Sequence, residues 1–213
     1  TLNNKYIFKG ETGENSGTFS AVSSAELGSS YPLDNIYAIY PYDENTEMSK
    51  AGVISTLLPA EQTYAEDSFG KGANTMVAVT ESVNDTFLSF KNVGGYLKIR
   101  LYGEGAVKSI ELRGNNGEKI AGKATLTAAY DVIPSVSMAN DAATSITLDC
   151  DEKGVKVGSS VEEATAFWVV VPPVTFENGF TIIIEDINRN KYTKSTEKKI
   201  ELKRNLVTDR KST

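Results

Sequence analysis

The 213 residues carry 22 Lys and Arg against 28 Asp and Glu, a formal charge of −6, with no His and one Cys. The lack of His excludes a Ser-His-Asp triad, a Cys-His dyad, an imidazole proton shuttle and a His-ligated metal, and Cys150 by itself forms neither an internal disulfide nor a thiolate cage. The acidic balance repels nucleic acid and anionic membrane, and no apolar run approaches the roughly 18 residues of a spanning helix.

The first strand signal is at 6–9, where Tyr6 and Phe8 share one face and Ile7 takes the other. Next comes YPLDNIYAIYPY, with Tyr31, Tyr37, Tyr40 and Tyr42 crowded together. In a strand Tyr37 and Ile39 share a face and Ala38 and Tyr40 share the other, so at least one face is core. An exposed row of Tyr31, Tyr40 and Tyr42 would suit stacking on sugar rings, since an aromatic face is apolar while its hydroxyl stays wet. Segment 61–69 reads as one or two helical turns. FGKGANT (69–75) lacks the Lys-Ser/Thr ending of a phosphate cradle and reads as a turn. Asn84-Asp85-Thr86 matches a glycosylation sequon.

Period-two alternation then dominates. Leu97, Ile99 and Leu101 alternate with Lys98 and Arg100; Ile110 and Leu112 follow, then Ile146, Leu148 and Cys150, then Phe180, Ile182 and Ile184. Each is the pattern of a half-buried strand. Turn signals separate the runs at Gly94-Gly95, 115–117, 151–154, Asn178-Gly179 and 188–190. Segment 160–166 has room for another helical turn. The continuous apolar run 167–171, closed by Pro172-Pro173, predicts a strand covered on both sides. The stretch 128–143 breaks the rhythm and marks a boundary, giving domains at 1–135 and 136–213, the smaller leaning on the larger.

Three further patterns point to chemistry and have plainer readings. Asp186, Asn188, Asn190 and Glu197 stand at positions 1, 3, 5 and 12 of a calcium loop, but Lys191 replaces the required Gly and the flanks read as strands, so a hairpin turn is expected. Asp149, Asp151 and Glu152 before Gly154 read as a turn. Ser195 and Lys198 spell S-x-x-K, but in a strand, where i and i+3 face opposite ways. No metal, cofactor or catalytic residue is assigned.

The strings YIFKGETGENSGTF (6–19), IYAIYPYD (36–43), LPAEQTY (58–64), LSFKNVGGYLKIRLYG (88–103), VKSIELRGNNGEKIAGKATLT (107–127) and FWVVVPPVTFENGFTIII (167–184), in this order and spacing, resemble the fimbrillin-like proteins of Bacteroidetes. The resemblance implies an all-β chain with little helix, folded as two tandem transthyretin-like (Greek-key) β-sandwich domains. It implies export, display at the cell surface on the outer membrane, and no enzymatic activity. In that family an upstream lipidated Cys anchors the chain; Cys150, inside a strand pattern, is not that anchor, and the tail VTDRKST lacks an apolar continuation after ELKRN. The implied partners are other pilin or surface-protein subunits, joined by strand exchange. Two segments qualify: 6–9, with Tyr6 and Phe8, and 200–207, where Ile200, Leu202 and Leu206 share a face; both also read as ordinary strands. A carbohydrate-binding module using the tyrosines is the alternative. A hydrolase would need two carboxylates roughly 5–10 Å apart in a cleft, which sequence does not show.

Overall fold

The computed structural model describes residues 3–10, 16–22, 34–49 and 51–211. Among them every regular element is a strand. The first nine are β1 (Tyr6–Lys9), β2 (Thr18–Ala21), β3 (Tyr37–Tyr40), β4 (Glu47–Met48), β5 (Val53–Leu58), β6 (Glu61–Ala65), β7 (Ser68–Phe69), β8 (Met76–Val79) and β9 (Lys91–Asn92). The middle of the chain supplies β10 (Gly95–Leu101), β11 (Ala106–Gly114), β12 (Gly122–Thr127), β13 (Ser135–Met138), β14 (Ser145–Asp149) and β15 (Val155–Lys156). The last six are β16 (Thr165–Val171), β17 (Val174–Phe176), β18 (Phe180–Asp186), β19 (Lys191–Ser195), β20 (Ile200–Leu202) and β21 (Val207–Lys211).

These strands build two sandwich cores. In the larger, the sheet β16-β10-β21 faces the long sheet β19-β18-β11-β14-β6-β7. Leu97, Ile99, Phe167, Val169 and Val171 from the first meet Ile110, Leu112, Ile146, Leu148 and Ile182 from the second. The alternation of β10 is what the sequence predicts: Leu97 and Ile99 point inward while Lys98 and Arg100 stay half-exposed. On β11 the pairing with β18 slips between Val107 and Ser109. That bulge puts Val107 and Ile110, three apart, into the same core, which strict alternation forbids. In the smaller core, Ile54 and Leu126 from the sheet β13-β12-β5-β4 pack on Val77, Tyr37 and Ile39 from the sheet β3-β8-β9.

The run 167–171 is covered on both sides, as expected. Phe167, Val169 and Val171 face the large core, while Val170 packs with Ala73 and Tyr96 in a separate small cluster. Gln62 joins the layers here. Its Nε2 donates to the Val170 carbonyl at 2.7 Å and its Oε1 accepts from the Val170 amide at 2.9 Å, all buried. The side-chain amide thus stands where a neighbouring strand would otherwise pair.

Several expectations are corrected. Segment 61–69 is the hairpin β6–β7, turned at Asp67 with φ of 52°, and of 160–166 the first five residues are loop while Thr165 and Ala166 open β16. Stretches this short cannot bear the cost of nucleating a helix without tertiary support, and β6 instead pairs in parallel with β14. Gly94-Gly95 is not a turn: Gly95 opens β10, and a Cβ there would run into the Lys203 carbonyl oxygen. The segment 200–207 is not one strand. β20 ends at Leu202, the chain turns at Asn205 with φ of 59°, and β21 joins a different sheet. Ile200 and Leu202 are core residues paired to β17, whereas Leu206 is exposed. Backbone pairing joins strands on either side of 135/136. β10 pairs with β16 and β21, β11 pairs with β14 and β18, and β13 closes the hairpin from β12. Each core is therefore assembled from discontinuous stretches of chain.

Cys150 is 3% exposed in the large core. Burial, then the Asp149 and Asp151 charges, pushes its thiol from 9.0 up to about 12. The native protein is expected to resist iodoacetamide at pH 8 and to react fully once unfolded in guanidinium, read by mass spectrometry. The raised folded pKa also sets a sign: this contribution to stability is intact below pH 9.0 and is lost as pH rises from there toward about 12.

Candidate binding surfaces

The residues that suggested metal or nucleophile chemistry are tied into turns or, for Ser195, into strand β19. Asp186 Oδ1 accepts from the Asn188 and Asn190 amides at 2.8 and 2.9 Å, and its Oδ2 accepts from Asn190 Nδ2 at 2.8 Å. The Asn190 side chain above all holds this carboxyl below its ordinary range. Glu197 lies beyond the far end of β19, a full strand away from that turn. Asp149 and Asp151 cap successive amides of their own turn, those of Asp151 and Lys153. Ser195 sits in a hydroxyl and amide network with Thr181 and Asn115, and Lys198 donates its backbone amide to Thr196 Oγ1. Among the described residues no three Cys, Asp or Glu converge as a metal site.

Two surfaces remain. The first is the hairpin of β1 and β2, which pair with each other over Tyr6↔Ala21 to Lys9↔Thr18. Tyr6, Ile7, Phe8 and Phe19 are all exposed. Phe8 meets Phe19 at 5.3 Å between ring centroids, and Phe19 meets Phe90 at 5.7 Å, so an aromatic row ties the hairpin to the body. Neither strand pairs with any other strand among the described residues.

The second surface is an open groove of about 470 Å³ lined by Pro41 to Asn45, Thr56, Leu57, Pro59 and Thr75. The Tyr40-Pro41 peptide is cis, and the loop after it presents Tyr42 at 39% exposure. Lys5 Nζ lies 5.2 Å from the Tyr42 ring centroid, and Asn3 Nδ2 donates to the Asp43 carbonyl at 2.7 Å. Asp43 Oδ1 accepts from the Asn45 backbone and side-chain amides at 2.9 and 3.0 Å. Of the three predicted stacking tyrosines, the structure brings only Tyr42 to the groove. Tyr40 is half-buried on β3 and outside the lining, and Tyr31 lies outside the described residues. Thr56, Leu57, Pro59 and Thr75 had no signal in the sequence, because β5 and the start of β8 reach the Tyr42 loop only through folding.

No family model matches the chain, and no curated protein matches it. Solved structures do. A Bacteroides uniformis protein titled a "putative cell adhesion protein" superposes with a TM-score of 0.50 at 18% identity, over 91% of this chain and 71% of that one. A Bacteroides ovatus protein with the same description gives a TM-score of 0.47 at 12% identity, over 87% of this chain and 66% of that one. At such identities the likeness is one of fold. The chain spans about two thirds of the length of the Bacteroides ovatus protein.

Among the described residues no helix is long and apolar enough to cross a membrane.

Proposed function

We propose that this chain is a fimbrillin-like structural and adhesive protein, exported and displayed on the outer face of the outer membrane, and that it joins other subunits by strand addition. In this reading it works by contact, without turnover or cofactor. The six sequence strings and the fold shared with the Bacteroides uniformis structure support the assignment. The β1–β2 hairpin is the observation that carries it: two strands with exposed apolar side chains on both faces and with outer edges that pair with no other strand among the described residues. A two-stranded hairpin is marginal in water, and an open edge offers backbone hydrogen bonds to an incoming strand while alternate side chains offer pockets. Of the two candidate exchange segments, 6–9 fits this role; Ile200 and Leu202 are committed to the core.

Size-exclusion chromatography with light scattering and negative-stain microscopy of the full-length mature protein test the reading. Concentration-dependent oligomers or filaments are expected, and the paired substitution Ile7→Asp with Phe8→Asp is expected to abolish them without moving the unfolding midpoint. A wild-type protein that stays monomeric at high micromolar concentration defeats it.

The second reading is a carbohydrate-contacting surface module, favoured by the exposed Tyr42 ring beside the groove.

A further inference from the structure

We infer that the groove at Tyr42 is a binding site for a saccharide without negative charge, neutral or amino-bearing. The inference rests on the carbohydrate reading and gives it a location and a ligand class.

The volume comes first. About 470 Å³ falls within the roughly 300–1,000 Å³ of small-molecule sites. The walls are those a sugar ring uses: the Tyr42 ring, Pro41, Pro59 and Leu57 offer apolar contact to a C–H face. Leu57 is 45% exposed although both its neighbours on β5, Thr56 and Leu58, are buried. It therefore points out of the sandwich and into the groove lining rather than spilling from the core.

Backbone edge is available too. β4 pairs with β5 only at Ser55 and Ile54, so from Thr56 onward β5 has β12 on one side and, among the described residues, no strand on the other. Thr46 and Thr56 close the end of that ladder with a hydroxyl pair at 2.8 Å. The groove lies along this bare edge, where main-chain groups meet ligand hydroxyls as they would meet a strand.

Thr75 is the independent observation. It is 4% exposed, it lines both the groove and a second, small cavity, and among the described residues its Oγ1 has no hydrogen-bond partner. Buried hydroxyls in folded proteins are nearly always paired, and an orphan of this kind has a reason. A ligand hydroxyl seated against Thr75 supplies one.

Charge decides the ligand class. The lining holds Asp43 and Glu44 and no cation. Lys5 sits over the Tyr42 ring, and Lys123, across from Leu57 on β12, is paired with Asp141 at 2.8 Å. With Lys123 neutralised by Asp141, the two lining carboxylates against the Lys5 ammonium disfavour uronates and sulfated sugars, and accept neutral hexoses or an amino sugar.

The test is an NMR titration of the full chain at millimolar sugar. One arm holds neutral oligomers of glucose, mannose, galactose and N-acetylglucosamine, a second holds glucosamine oligomers, and a third holds uronate and sulfated oligomers. Saturable binding is expected in the first or second arm, with little in the third. Tyr42→Ala is expected to weaken it on the order of tenfold, the size of an aromatic contact plus its area. Leu57→Arg, at another exposed position, and Thr75→Val are expected to weaken it as well, while Tyr40→Phe binds as wild type. Binding undiminished in both Tyr42→Ala and Leu57→Arg overturns the groove and leaves the carbohydrate reading standing. Stronger binding in the anionic arm overturns the ligand class. No binding in any arm overturns both the groove and the carbohydrate reading.

Discussion

Phe167→Ala is expected to lower the unfolding free energy by about 3–5 kcal/mol, the range for emptying a fully buried aromatic site. Phe167 has no exposed surface, sits on β16 opposite Ile99 of β10, and meets the Tyr64 ring at 5.3 Å between centroids. Its ring spans the interior between the two sheets of the larger sandwich, so the vacated volume is walled by strands that cannot close on it without breaking their own ladders. Urea unfolding followed by tryptophan fluorescence reads the loss directly, since Trp168 is the neighbouring residue and the sole Trp. Because Ile54, Val77 and Leu126 form a separate core, amide exchange is expected to accelerate first in β10, β11 and β14 and later in β5 and β12. Phe87→Ser is the control. Phe87 is 75% exposed, and its replacement is expected to stay within about 0.5 kcal/mol of wild type.

Gln62→Leu is expected to cost about 2–4 kcal/mol although it keeps the side chain's bulk and removes a buried polar group. The reason is what it leaves behind. Both hydrogen-bonding groups of Val170 on the edge of β16 away from β10 are satisfied by this one side chain, and each buried group left unpaired costs about 1–3 kcal/mol. A general gain from apolar substitution predicts the opposite sign, so the direction of the shift in urea midpoint separates the two accounts. Gln62→Glu keeps an acceptor for the Val170 amide but sets a carboxylate against the Val170 carbonyl, and is expected to be at least as damaging at pH 7 as Gln62→Leu. The same geometry shows why β16, an edge strand of its sheet, offers no free ladder at this point.

The two candidate binding surfaces differ in how far they could be seen in advance. Tyr6 and Phe8 stand in a short run flanked by polar residues that reads as a strand, and the structure adds that this strand forms a hairpin that leaves both exposed. Ile200, Leu202 and Leu206 show the limit of such patterns: even-numbered spacing and similar chemistry, yet two are core and one is solvent-facing, because Asn205 turns the chain between them. The tyrosine cluster shows it again. Four tyrosines in twelve residues announce something, but the cis Tyr40-Pro41 loop and the distant residues Leu57 and Thr75 make Tyr42 the one beside a groove.

What the sequence determined by itself was local. Period-two alternation at 97–101, the continuous run at 167–171 and the turn residues at 115–117, 151–154 and 188–190 specify strands, their inward faces and their ends, because side-chain direction along a strand depends only on neighbouring residues. Absence of His and the single Cys likewise settled which chemistries were out of reach. Partnership was decided by the tertiary structure. Which strand lies beside β10, where β11 bulges, why 128–143 leads into a hairpin and how Gln62 finds Val170, 108 residues away, follow from pairings between distant segments. Those pairings are selected by the burial that all strands achieve together, and no window of a few residues contains that sum.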